Sequence, residues 1–140
     1  MMGNTVEHAY RTSSNTSRWY LMACRDADNG KIRFAFLDGG FGMPSTIRKN
    51  FHDIISEKFK NVIGNSNDSS LIMSALNGKF RTRTKQRYRG KGLPNIYKSY
   101  RDDKIIDKLK IISSMGYIDQ GNERTIEYKF HGTLYTWEFV

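Results

Sequence analysis

The stretch of this sequence that carries most chemical information is LDGGFGMP, residues 37–44. It places the carboxylate of Asp38 directly before a glycine cluster, in a D-x-G-x-G pattern with Gly40 and Gly42. Glycine permits positive φ angles and lets a ligand approach the backbone closely. The pattern therefore predicts either a strand-to-helix turn that Asp38 caps, or a turn whose carboxylate and backbone bind a small ligand.

A second glycine pair, Gly90 and Gly92 in GKGLPNIYK, lies just before a predicted helix. Such glycines can bend the backbone so that N–H groups and the helix N-terminus face an anion. The basic residues that precede them would add charge-assisted hydrogen bonds to phosphate oxygens. The alternative interpretation is a flexible loop that ends where the helix begins.

A third pattern, NTVEHA at residues 4–9, puts Asn4 and His8 four positions apart, on one face of a predicted helix over residues 3–12. An amide oxygen suits Mg²⁺, which prefers oxygen ligands and keeps several waters, and an imidazole N–H can donate to phosphate. Two polar residues on a helix surface are the alternative explanation.

The positive charge is concentrated in one segment. The chain has 23 Lys and Arg against 14 Asp and Glu, a net charge of +9. Residues 79–91, KFRTRTKQRYRGK, hold seven cations and no acid, so the rest of the chain carries only +2, the difference between +9 and +7. This segment predicts either a local anion site or an arm that binds nucleic acid.

The elements that must position these residues follow from hydrophobic periodicity. Alternating apolar residues predict strands, spacings of three and four predict helices, and Asn29-Gly30 marks a turn. The predicted strands are 18–24, 31–38, 124–131 and 133–140, and His131-Gly132 is the predicted hairpin loop between the last two. One predicted helix begins at Pro44, and two others cover 69–79 and 93–109. The order predicts an α+β fold, a two-layer sandwich of one mixed, largely antiparallel sheet with helices on one face. The length of 140 residues indicates a single domain, 1–140.

Composition excludes several classes of protein. The single cysteine, Cys24, rules out an intramolecular disulfide framework and is expected to be a reduced core thiol. Apolar runs such as LMAC at 21–24 are too short to span a bilayer, and no signal peptide is visible. These observations predict a cytoplasmic protein with no membrane partner.

Taken in order, the motifs resemble those of the GHKL ATPase superfamily, which includes histidine-kinase catalytic domains, DNA gyrase, MutL proteins and the ninety-kilodalton heat-shock chaperones. NTVEHA (4–9) is similar to the N box of that superfamily, FLDGGFGMP (36–44) to its first glycine box and RGKGLPNIYK (89–98) to its second. GTLYTWEF (132–139) resembles its closing strand. The resemblance covers essentially the whole chain and implies the Bergerat-type ATP-binding fold.

The resemblance implies a role for each matching residue. Asn4 would bind Mg²⁺ and His8 would contact phosphate. Asp38 would accept a hydrogen bond from the adenine 6-amino group, with Thr133 beside it, whereas guanine would present a repelled oxygen there. The second glycine box would meet the triphosphate beneath a mobile lid formed by about residues 60–90. The residues that the resemblance assigns to ATP binding are Asn4, His8, Asp38, Gly40, Gly42, Arg89, Gly90, Gly92, Leu93 and Thr133.

The sequence departs from the family in two places. The general base of the hydrolysing branches, a glutamate four residues before the N-box asparagine, would precede Met1, and so would the helix and strand that usually come first. We therefore assign no catalytic residue in this chain and expect it to hydrolyse ATP slowly or not at all by itself. Whether it acts as an ATPase or a protein kinase is left open by the sequence.

The resulting hypothesis is a Mg²⁺-dependent ATP-binding module, kinase-like or switch-like, that serves an unidentified protein partner or phosphoacceptor. Two alternatives remain. One is a non-enzymatic nucleic-acid-binding protein that uses residues 79–91. The other is an interaction subunit with a degenerate nucleotide site.

Overall fold

The computed structural model describes residues 18–51, 65–79 and 92–140. Four strands and three helices follow one another within these ranges. They are β1 (Trp19–Arg25), β2 (Ile32–Asp38), α1 (Met43–Phe51), α2 (Asp68–Leu76), α3 (Gly92–Arg101), β3 (Ile106–Asp119) and β4 (Asn122–Phe139). The helix predicted over residues 3–12 lies outside the described residues. No helix in the described ranges is long and apolar enough to cross a membrane.

The strands form one sheet in the order β1-β2-β4-β3. Every pairing in the described part of this sheet is antiparallel, so the mixed character that we expected is not seen there. Strands and helices in one chain confirm the α+β class. β1 and β2 are joined by the predicted turn at Asn29-Gly30, where Gly30 has a φ of +71°.

The hydrophobic core lies between the sheet and the helices. Phe36, Tyr135 and Ile111 are directly opposite one another on β2, β4 and β3, and all three are buried. Helix residues from α1, α2 and α3 complete the same cluster: Met43, Ile47, Leu71, Ile72, Ala75, Leu76 and Tyr97. Burial of such side chains contributes about 1.5–3 kcal/mol each, which fixes the helices against this face.

The helix predicted over residues 93–109 is only partly correct. α3 ends at Arg101, and Ile106 and Leu109 belong to β3. Both are buried because the register between β3 and β4 shifts between Asp107 and Lys110, which inserts one extra residue into β3. This bulge spaces two core positions by three residues, the interval that the sequence pattern attributed to a helix.

The hairpin predicted at His131-Gly132 is wrong, because residues 122–139 form one strand. The hairpin turn is at Gln120-Gly121, whose φ angles of +51° and +86° suit a tight turn between twisted strands. His131 and Gly132 instead form a bulge, since Ser113 pairs with Thr133 while Ser114 pairs with Phe130. The predicted burial of Cys24 is also wrong, because this thiol is exposed on β1.

Candidate functional site

The candidate site is built around Asp38, the last residue of β2. In the sheet register Asp38 is opposite Trp19 of β1 on one side and Thr133 of β4 on the other. Its side chain is buried, with 6% of the residue exposed. The Gly40 N–H donates to Asp38 Oδ1 over 3.1 Å, which orients the carboxylate where the chain leaves the sheet. A buried acid at the end of a sheet strand is thereby held in one orientation.

The glycine cluster leads directly into α1. Gly42 has a φ of +87°, which a residue with a side chain rarely adopts. Its carbonyl oxygen accepts hydrogen bonds from the N–H (3.1 Å) and the hydroxyl (2.9 Å) of Thr46, in the first turn of the helix. The N–H of Met43 donates to Ser113 Oγ over 2.8 Å, so one end of the loop is tied to β3.

The bulge at His131-Gly132 brings β4 against the end of β2. Gly132 has a φ of +92°, and a Cβ atom added to it would lie only 2.0 Å from the carbonyl oxygen of Asp38. The next residue, Thr133, is 3% exposed and directly opposite Asp38. Residues directly opposite in an antiparallel pair project from the same face. The carboxylate of Asp38 and the hydroxyl of Thr133 therefore lie side by side on the core face of the sheet.

The environment beside Asp38 favours the neutral form of the Tyr135 phenol. Burial raises the pKa of the Tyr135 phenol, and the negative charge of Asp38 raises it further. Tyr135 is two residues along β4 from Thr133 and 3% exposed. It therefore stays uncharged across the physiological range, in a buried position within the electrostatic influence of Asp38.

Four of the predicted site residues come together in this structure, namely Asp38, Gly40, Gly42 and Thr133. Four others, Asn4, His8, Arg89 and Gly90, lie outside the described residues. Gly92 and Leu93 are the first two residues of α3, so a helix does begin at the second glycine box.

The structure also describes part of the predicted lid, residues 65–79. This part contains α2, whose Leu71 and Ile72 are buried in the core. Residues 65–79 therefore include part of the core. The rest of the predicted lid, residues 60–64 and 80–90, lies outside the described residues.

Ser113 is a residue of this site that the sequence analysis missed. It is fully buried and touches the glycine loop, the bulge and Thr133. The only signal was a pair of serines, Ser113 and Ser114, between apolar residues. That signal could not be interpreted, because the strand containing it was not predicted.

The described residues hold no group of three or more His, Cys, Asp or Glu side chains placed to bind a metal ion. The residue predicted to bind Mg²⁺, Asn4, is not among them. No family model, curated protein or solved structure matches this chain.

Proposed function

We propose that the chain is a Mg²⁺-dependent ATP-binding domain of the GHKL type, with a Bergerat-type fold. The observation that carries the proposal is the buried carboxylate of Asp38 directly opposite the hydroxyl of Thr133, at the end of β2 and beside the glycine loop. These residues are distant in the sequence, and the resemblance assigned both to the adenine site. The resemblance also implies that Thr133 lies beside Asp38, and these two residues are partners in the register of β2 and β4.

The chemistry of this pair suits adenine. A carboxylate is an acceptor with about four lone-pair positions, so Asp38 can accept the Gly40 N–H and a ligand N–H together. Adenine offers its exocyclic amino group, whereas guanine would bring an oxygen against the carboxylate. A buried polar group that faces a mismatched ligand atom is costly, which makes such a site selective.

The other roles come from the resemblance. Asn4 would bind Mg²⁺, which neutralises charge on the phosphates, and His8 would contact a phosphate oxygen. The second glycine box, with Arg89, Gly90, Gly92 and Leu93, would meet the phosphates at the start of α3, where a helix N-terminus favours anions.

A thermal unfolding experiment tests the proposal. Mg²⁺–ADP at about 100 times its Kd should stabilise the protein by about 2.7 kcal/mol, which raises the Tm by several degrees. GDP at the same concentration is the control and should leave the Tm unchanged, and EDTA should reduce the effect of ADP. Equal shifts with both nucleotides, or none with either, would overturn the proposal.

A further inference from the structure

Ser113 makes three short polar contacts from a position with no solvent exposure. Its Oγ accepts the Met43 N–H over 2.8 Å and lies 3.0 Å from the carbonyl oxygen of Gly132. It also lies 2.9 Å from the hydroxyl oxygen of Thr133. One hydroxyl thus joins the start of α1, the bulge in β4 and the residue opposite Asp38.

The number of protons in this cluster fixes the direction of each hydrogen bond. A serine hydroxyl has one proton to donate and two lone pairs to accept with. The Gly132 carbonyl has no proton, so Ser113 must donate its own proton there. The Met43 N–H fills one lone pair of Ser113, and only the second remains for Thr133. The contact between the two hydroxyls is therefore one in which Thr133 donates and Ser113 accepts.

We infer that Ser113 is a positioning residue that sets the base selectivity of the site. Because Thr133 donates its proton to Ser113, the Thr133 hydroxyl can only accept a hydrogen bond from any further group. Carboxylate and hydroxyl then form an end of the site that only accepts hydrogen bonds. Such an end selects a 6-amino purine and rejects a 6-oxo purine, which has an oxygen at that position. This inference rests on the proposed function and adds the device that makes the site selective.

The test is calorimetric titration of ADP and IDP, which differ in having an amino or an oxo group at the 6-position of the purine. The wild-type protein should prefer ADP by about a hundredfold or more. Ser113→Ala frees the proton of Thr133 to donate to the 6-oxo group, so IDP should bind about tenfold more tightly than to wild type. The double variant Ser113→Ala/Thr133→Val should lose that gain. A general loosening of the site would not improve IDP binding in a way that depends on the Thr133 hydroxyl.

A second variant keeps the inference testable if Ser113→Ala does not fold. Thr133→Val removes the acceptor and should weaken ADP about tenfold while leaving IDP unchanged or slightly tighter. Thr136→Val, on the same strand but the opposite face, is the matched control and should alter neither affinity.

Two results would overturn the inference while leaving the proposed function intact: an unchanged ADP-to-IDP ratio in folded Ser113→Ala, or a larger loss of IDP than of ADP in Thr133→Val. A wild-type protein that binds neither nucleotide would overturn both.

Discussion

Among the described glycines, Gly132 is the one at which an added Cβ atom would lie nearest to another atom. A side chain there meets the Asp38 carbonyl oxygen at 2.0 Å and the backbone of Gly39 at 3.3 Å, and the φ of +92° is strained for any other residue. We expect Gly132→Ala to lower the free energy of unfolding by about 3 kcal/mol or more, because β2 and β4 must separate to admit the methyl group. Urea unfolding measures this loss.

Gly121 provides the control for that substitution. Its φ of +86° is nearly the same, but an added Cβ would meet only the Tyr97 hydroxyl, at 3.4 Å. Gly121→Ala should therefore cost only the backbone strain, about 1 kcal/mol. Similar losses in the two variants would show that close approach at Gly132 does not matter.

At the residue scale, the sequence revealed the groups that carry a motif and missed those that act through packing. Asp38 was recognisable because a carboxylate before spaced glycines is a local pattern. Ser113 was not, because its importance comes from Met43, Gly132 and Thr133, which are 19 to 70 positions away in the chain. No periodicity or spacing encodes a contact of that range.

At the scale of elements, β1, β2 and α2 were predictable, β3 was missed, and β4 was predicted as two strands with a hairpin between them. The first three have regular patterns that end at turn residues such as Gly30 and Asn77. The bulges at Asp107 and at His131-Gly132 break the two-residue alternation. A bulge shifts the following side chains from one face of a strand to the other. The hydrophobic pattern across it therefore resembles that of a helix or a loop.

Asp68 is the main polar attachment between α2 and the rest of the fold. Its two oxygens accept hydrogen bonds from Arg48 Nη1 of α1 at 2.6 Å and from the Met115 N–H of β3 at 2.9 Å. Burial alone would raise the pKa of Asp68, but the Met115 N–H, the Ser114 hydroxyl and the Arg48 guanidinium together hold it below its ordinary value. One carboxylate thus joins three elements in its ionised form.

We expect Asp68→Asn to lower the free energy of unfolding at pH 7 by about 1–3 kcal/mol, because the amide has no charge and keeps only one of the two acceptor oxygens. A lowered native pKa means that this stabilisation is complete above the unfolded pKa and is lost as pH falls through the native value. The difference between variant and wild type should therefore shrink below about pH 4. Urea unfolding across pH measures it.

Asp28→Asn, at an exposed turn position, is the control for Asp68→Asn and should have little effect at any pH. A difference for Asp68→Asn that stays constant from pH 7 into the acid range would contradict the charge-based explanation.

At the scale of the whole molecule, replacing the cations of residues 79–91 can distinguish a nucleotide-binding domain from a nucleic-acid-binding protein. We expect replacement of Arg83, Lys85, Arg87 and Arg89 by Gln to weaken ATP much more than adenosine, since only phosphate contacts would be lost. Equilibrium titration of both ligands measures this. Replacement of four exposed cations outside the run, Lys98, Arg101, Lys104 and Arg124, gives a control of equal net charge.

The nucleic-acid alternative predicts a different outcome for the same variant. Its DNA affinity would depend less steeply on salt than that of the wild type, by about 3 in the logarithmic slope, and ATP would be unaffected. That result would contradict the assignment of residues 79–91 to phosphate binding within a nucleotide site.

Calorimetric titration of Mg²⁺–ADP into the wild-type protein and into Asp38→Asn tests most directly whether Asp38 binds adenine. The amide keeps an oxygen that can accept the Gly40 N–H, so the turn should persist, and circular dichroism can verify the fold. It also replaces one acceptor oxygen with a donor that would face the adenine amino group. We expect binding by the wild type and a loss of about 2–4 kcal/mol in the variant. Unchanged ADP affinity in a folded Asp38→Asn protein would show that Asp38 stabilises the turn alone and does not bind adenine.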